Sequence, residues 1–459
     1  MRRYWMLGLG CGLLGCGGSD TGVTPPTAAV ETVAITQASI PALLVGSSAP
    51  LAATARDAQN NTLPTRPITW SSSAVNIASV SAIGVVTGVA PGTAQIRATS
   101  DGKFSEIAVT VRPLPWSLTG SLATGRTLPT LTVLTNGSVL AVGGQVLGAP
   151  FATIRTSELY DPAAGTWAAT GSLTTSRANH IAIRLQNGKV LVAGGYTLQP
   201  STRLASAELY DPATGTWSET GNMLEARDIA AAALLPDGRV LVTGGSATGT
   251  NLDALATTEI YSPATGIWSR AATMSVARGG HTATVLSNGT VVVVGGASGT
   301  YSAPNLHTSA EVFDPAAGTW TATASVSLGR GFHRSVALGN GRLLMTGGSN
   351  FVSSVFATTD VYDAATGLWT AAAPLVTGRI SHSATVLPNG NVLIAGGGAS
   401  GVLGSAELFD VSGGRWIPAG DMRIPRSNHA AALLLNGKVL VAGGQGVGAS
   451  TTAEIYDPG

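Results

Sequence analysis

The strongest constraint on this 459-residue chain is a register that returns seven times in its last three quarters. Arginine stands at Arg126, Arg177, Arg227, Arg278, Arg330, Arg379 and Arg426. Seventeen residues after each comes the first glycine of a Gly-Gly doublet, at Gly143, Gly194, Gly244, Gly295, Gly347, Gly396 and Gly443. Between them lies an Asn-Gly or Asp-Gly dipeptide, ending at Gly137, Gly188, Gly238, Gly289, Gly341, Gly390 and Gly437. An acidic residue follows, at Glu158, Glu208, Glu259, Glu311, Asp360, Glu407 and Glu454. Nine residues after each of the first six stands a tryptophan, at Trp167, Trp217, Trp268, Trp320, Trp369 and Trp416. Self-similarity at a period near 50 residues marks a chain of identical small units that bury their apolar faces only by packing on one another.

Each unit reads as four strands. The Asn-Gly or Asp-Gly step predicts a type I′ turn, and so a tight hairpin of strands a and b. Strand c carries ELYDP or a variant, and the tryptophan opens strand d. The last unit lacks its tryptophan, because the chain ends at Gly459. Trp116 stands instead ten residues before Arg126, the spacing that each of those six tryptophans keeps to the next arginine. A strand within 113–122 is therefore expected to complete the last unit and close a ring without free sheet edges. The fold class that follows is all-β, with a seven-bladed β-propeller over residues 113–459. The Gly-Gly after strand b, the aromatic-Asp ending strand c and the spaced tryptophan resemble kelch repeats, in the form shared with the central domain of galactose oxidase. That resemblance covers 116–459. A dinucleotide-binding reading of the glycines fails, since no helical pattern follows any doublet.

The N-terminal quarter is organised differently. Arg2 and Arg3 precede the apolar run Tyr4 to Leu14, which has the form of a secretory signal. Leu13-Leu14-Gly15-Cys16 resembles the lipobox of bacterial lipoproteins, which implies a signal peptide over 1–15, lipid on Cys16 and a flexible linker over 16–30. Gly17 after the cysteine points, by the same resemblance, to the outer membrane, so the expected location is the cell envelope with a lipid anchor as the sole membrane attachment. From 31 to 112 short strands alternate at about ten-residue intervals, as in a small β-sandwich. Trp70-Ser71-Ser72, Val80, Gly84-Val85-Val86-Thr87-Gly88 and Gly92-Thr93-Ala94 resemble the bacterial immunoglobulin-like group 2 domain. A spacer role is the expectation for it.

Composition narrows the function. Charged residues make up 11% of the chain and the net charge is +1, which leaves no electrostatic footprint for nucleic acid. The two cysteines, Cys11 and Cys16, both lie in the signal region. A chain matured at Cys16 would have no thiol left for the tyrosine–cysteine cofactor of galactose oxidase-like enzymes, so a copper-radical oxidase is not expected. Five of the six histidines stand three after a repeat arginine, at His180, His281, His333, His382 and His429, with Pro129 and Ala230 in the other two places. A ring of imidazoles could in principle hold a metal, but sevenfold symmetry spreads equivalent residues apart, and local hydrogen bonding is expected instead. No metal and no cofactor are expected. The repeat arginines and acidic residues are expected to form one recurring ion pair, within or between blades.

Everything that varies in repeat length lies between the Gly doublet and the acidic residue, where the spacing runs from 11 to 16 residues. That stretch is the b–c loop, and variable loops on a rigid scaffold are where recognition concentrates. Those of the first five blades supply the candidate ligand-binding residues Phe151, Arg155, Tyr196, Arg203, Asn251, Asp253, Tyr301, Asn305, His307, Asn350, Phe351 and Phe356. Aromatics, amides and a few charges suit a sugar or a peptide. The expectation is a monomeric, non-catalytic protein that binds a glycan or protein at the cell surface. Two other readings stay open: a sugar isomerase or hydrolase, with His307 as the one histidine outside the repeat, and a purely structural envelope scaffold.

Overall fold

The structure, a computed structural model, describes residues 28–148, 151–249, 252–448 and 450–459. Cys16, the signal segment and Asn251 lie outside the described residues. Among these there is no helix, and the chain divides into two units at Leu114/Pro115.

The first unit is a small β-sandwich. One sheet has four strands in the order Leu43–Leu44, Lys103–Arg112, Gly92–Ser100 and Thr69–Ser72. A three-stranded sheet, Ser48–Pro50, Val85–Gly88 and Ala78–Val80, packs on it, and Thr32–Ile35 pairs with Ala53–Arg56 beside them. Strict alternation along Gly92–Ser100 turns Ala94, Ile96 and Ala98 inward, where the first two meet Val86, Val109 and Val111 and Ala98 meets Val30, Val33 and Ala55. Gly84 has φ +81° and lies so close to Leu51 that a Cβ would sit 2.6 Å from that carbonyl oxygen.

The second unit is a ring of seven four-stranded antiparallel sheets. In blade 1 the strands are a, Thr130–Val133; b, Val139–Val142; c, Ser157–Asp161; and d, Thr166–Thr170. In blade 7, strands a, b and c are Ala430–Leu433, Val439–Ala442 and Ala453–Tyr456, and the outer strand is Trp116–Thr119, paired to c from Trp116↔Tyr456 to Thr119↔Ala453. Strands a touch their neighbours around the axis. Strands b are buried on both faces, as the near-continuous VLAV, VLVA and VVVV runs require.

The a–b turns are not the type I′ turns that Asn-Gly suggested. In six blades the Asn or Asp keeps negative φ and only the glycine is left-handed, as at Gly137 with φ +87°. Gly137 N donates to Leu134 O, Leu134 N to Ser138 O, and Ser138 N to Asn136 Oδ1. This is a type I turn followed by a glycine bulge, and the Asn is there for its side-chain acceptor rather than for positive φ. Only Asn340-Gly341 in blade 5 has both residues left-handed, at φ 64° and 72°.

The repeat arginine pairs within its own blade. Arg177 Nη2 lies 2.8 Å from Glu208 Oε1 while Nη1 donates to the carbonyls of Gly194 and Ser206. The other carboxylate oxygen accepts from Thr174 N at 2.7 Å, which pins the d–a connection. All seven pairs are buried, with N–O distances of 2.6–2.9 Å. Taking one partner away strands a buried charge. Glu208→Ala is therefore expected to lower stability by about 3–5 kcal/mol, read from urea midpoints. A loss under about 1 kcal/mol would show that solvent or neighbouring groups already satisfy Arg177.

Blades are joined by recurring contacts that the repeat makes legible only in three dimensions. The second glycine of each doublet donates its N–H to the arginine carbonyl of the next blade, from Gly144 to Arg177 at 2.8 Å through to Gly444 to Arg126 at 2.8 Å. A Cβ on Gly143 would sit 2.6 Å from Arg177 O, so the doublet is required by close approach as well as by positive φ. Further out, Tyr160, Tyr210, Tyr261 and Tyr362 each bond a threonine of the preceding outer strand, Thr119, Thr170, Thr220 and Thr323. Where strand c carries Phe313 or Phe409 instead, that threonine position holds Ala271 or Ala372. Only Tyr456 faces an alanine, Ala419, whose carbonyl accepts from Trp116 Nε1 at 3.2 Å. Each aromatic also packs on its own blade's tryptophan, with centroids 5.0–5.2 Å apart.

Candidate binding site at the propeller axis

At the end of the ring where strands a begin and strands b finish, the axis opens into a cavity of about 540 Å³. Its wall takes one residue from each blade, two positions after the repeat arginine: Leu128, Asn179, Ile229, Gly280, Phe332, Ser381 and Asn428. All seven have left-handed φ, between 44° and 65°. For Leu, Phe and above all β-branched Ile this is an uncommon conformation, on the order of 1–3 kcal/mol each, that persists only when neighbours over-determine it. They do so here. The residue before each wall residue bridges to the one after the Gly doublet, as in Ala178↔Tyr196 and Asp228↔Ser246. Wall backbones also bond around the axis: Leu128 N to Asn428 O at 2.8 Å, Asn428 N to Ser381 O at 3.0 Å, and Phe332 N to Gly280 O at 2.9 Å.

These wall residues are the ones that reading the sequence passed over. A signal existed: the column between the constant Arg and the recurrent His reads Leu, Asn, Ile, Gly, Phe, Ser, Asn, variable where its neighbours are not.

The recurrent histidines stand behind this wall as wedges between blades. His180 Cε1 lies against Gly143 of the blade before, and its backbone against Gly195 of its own. Each Nε2 meets a hydroxyl of the preceding blade: His180 with Thr130 at 2.9 Å, His281 with Thr243 at 2.7 Å, His333 with Thr282 at 2.9 Å, His382 with Thr346 at 3.2 Å and His429 with Ser383 at 3.0 Å. Blades 2 and 7 offer Ile181, Ala193, Ala430 and Ala442 at the two places such hydroxyls occupy, and the blades after them carry Ala230 and Pro129 instead of histidine. Burial, with the nearby repeat arginines, pushes all five imidazoles far down, His180 and His429 to about 3. They are neutral at neutral pH. Among the described residues no group of three or more His, Cys, Asp or Glu is placed to hold a metal ion.

Family models match both units. Residues 29–111 match the bacterial Ig-like domain (group 2), and residues 180–224, 230–275 and 278–327 match the Kelch motif. Three consecutive units of the seven-bladed ring thus carry Kelch motifs. Among solved structures, a fungal alcohol oxidase of the AA5 family, in complex with copper, is similar in fold at 16% identity, with TM-score 0.59 over 75% of this chain and 76% of that one. No curated protein matches the sequence.

The kelch b–c loops rise on the same end as the cavity, several as small hairpins such as Tyr196–Leu198 with Ser201–Arg203 and Ala297–Gly299 with Pro304–Leu306. The structure divides the loop residues into two groups. Phe151, Arg155, Asp253, Tyr301 and Asn305 are exposed. The rest are engaged. Tyr196 Oη bonds Gln145 at 2.7 Å, Arg203 pairs with Asp228 at 2.9 Å and lies 5.0 Å over the Tyr196 ring, and His307 Nε2 meets Ser298 at 3.1 Å. Asn350 Oδ1 holds its own loop by accepting from Val352, Ser353 and Ser354, and Phe356 is half-buried. Phe351 reaches the axis, where its ring packs 4.7 Å from that of Phe332.

Proposed function

We propose that this chain is a non-catalytic binding protein that receives a glycan at the axial cavity, with the b–c hairpins gripping the flanking sugars. The observation that carries this is the cavity itself: a concave site of ligand size, walled by the repeat's variable column and rimmed by its variable loops. Half of its wall is apolar, from Leu128, Ile229 and Phe332, and half is polar, from Asn179, Ser381 and Asn428, which suits the two faces of a sugar ring. The lipobox-like Leu13 to Cys16 supports an envelope location, and the immunoglobulin-like unit then serves as a spacer. A glycan array and a surface pull-down with the purified chain test the reading. Phe332→Ala and Tyr301→Ala are each expected to weaken the strongest hit at least tenfold without lowering the melting temperature. Binding insensitive to both substitutions would place the ligand elsewhere. A protein partner on the same face would appear in the pull-down and not on the array.

One observation favours a sugar-active enzyme. Asp228 is the sole carboxylate in its repeat column, is 4% exposed, and burial pushes its carboxyl up against the opposing pull of Arg203. Tyr196 and Tyr301 stand within its electrostatic reach. A raised carboxyl whose field reaches two phenols has the make-up of a general acid. Turnover in a sugar panel that collapses in Asp228→Asn would establish that reading.

A further inference from the structure

One side chain on the cavity wall breaks the repeat in charge. Four positions after the repeat arginine, at the start of strand a, the other six blades hold Thr130, Ile181, Ala231, Thr282, Ser383 and Ala430; blade 5 holds Arg334. Its guanidinium lines the cavity and is exposed to the solvent inside it, although protein surrounds it. Nε donates to His382 O at 2.8 Å, which fixes the plane of the fork. Among the described residues no carboxylate pairs with it, whereas every repeat arginine has one. The cavity wall contains no Asp, no Glu, no Lys and no second Arg. The histidines around it, His333, His382 and His429, are held neutral and supply no competing charge.

We propose that Arg334 makes the axial cavity a receptor for a small monoanionic carboxylate, with the guanidinium taking the carboxylate and Asn179, Ser381 and Asn428 meeting its hydroxyl groups. A planar fork matches a carboxylate in two parallel hydrogen bonds. A single fixed cation suits one negative charge; a phosphate dianion would call for a second cation or a cluster of free backbone N–H groups. The amides and hydroxyl are placed to read hydroxyls: Asn179 and Ser381 make no side-chain hydrogen bond among the described residues, and Asn428 makes one of 3.5 Å to Gln445. The proposal rests on the glycan-binding reading and sharpens it, since an acidic sugar carries both kinds of group.

The test is calorimetric titration of the full chain with D-glucuronate, D-glucose, inorganic phosphate and a short acidic peptide. Glucuronate is expected to bind about 10–100-fold more tightly than glucose, the range of a charge-assisted pair. Arg334→Ala is expected to abolish that preference, read as the ratio of glucuronate to glucose affinity within the same chain. Arg334→Gln keeps a donor for the His382 carbonyl and loses the charge, so it separates a folding defect from a lost anion site. A preference that survives both substitutions overturns the proposal. Equal binding of glucose and glucuronate by the wild-type chain also overturns it but leaves the glycan-binding reading intact. Phosphate binding tighter than glucuronate rejects the carboxylate, and acidic-peptide binding tighter than glucuronate and dependent on Arg334 rejects the small molecule for a protein partner. No binding of any probe rejects both readings.

Discussion

A chain that begins after residue 120 is expected to lose the cooperative unfolding transition of the propeller, whereas one that begins at Pro113 is expected to keep it. The difference is a single short strand. Trp116–Thr119 is the outer strand of blade 7, and Trp116 is 1% exposed there, against Tyr456 and beneath the Ala419 carbonyl. Losing a buried tryptophan alone costs about 3–5 kcal/mol, and the deletion also bares the edge of Ala453–Tyr456 and removes the hydroxyl partner of Tyr160. Total domain stability is on the order of 5–15 kcal/mol. Tryptophan emission and circular dichroism during thermal melting would read the result. A sharp, full-amplitude melt for the shorter chain would mean that six complete blades and a three-stranded seventh suffice.

Mild acid, below about pH 6.5, is expected to destabilise the propeller. Five histidines have folded-state values pushed far below the ordinary 6.5, two of them to about 3. Between those limits the unfolded chain binds protons that the folded chain refuses, so stability is full above about pH 6.5 and falls as pH drops. Each histidine contributes up to about 1.4 kcal/mol per pH unit, and five together reach on the order of several kcal/mol per unit. Urea midpoints at pH 7.5, 6 and 5 are therefore expected to fall steeply, and a flat profile would show that the imidazoles accept protons in place. The companion variant removes one wedge with its partner, His281→Ala together with Thr243→Ala, in imitation of the junction that already holds Ala230. It is expected to be less stable at pH 7.5 and to have a shallower acid slope than the wild-type chain.

Much of this fold was legible because repetition averages over local noise. Seven copies of Arg, Gly-Gly, acidic residue and Trp set the blade count, and the misplaced Trp116 pointed to how the ring closes. Repetition could not give the turn type, because Asn136 in an Asn-Gly step satisfies a backbone N–H with its side chain at negative φ as readily as it adopts positive φ. Nor could it show what the histidines do. Their partners are one threonine position in some blades and another in others, and only the packed junction reveals that the hydroxyl is constant while its address changes. The site was hidden for the opposite reason. The long loops carry the conspicuous variation in the sequence, yet several of their side chains, Tyr196, Arg203, His307 and Asn350, are engaged in holding the rim. The axis is walled by a column whose lack of pattern resembled neutral drift, and Arg334 looked like one charge among 25 basic residues.

The matched Tyr–Thr and Phe–Ala junctions have a consequence for assembly. Each blade carries one half of a lock on its outer strand and the other half on strand c, and the halves are not all alike. A blade moved beside a neighbour of the other kind would leave a phenol without its hydroxyl or a threonine facing a bare ring. Neighbours are thus partly specified, and a ring that skipped the third, fourth or fifth blade would close on mismatched parts. Where the two kinds of lock alternate, from the third blade to the sixth, nearly identical pieces are not interchangeable.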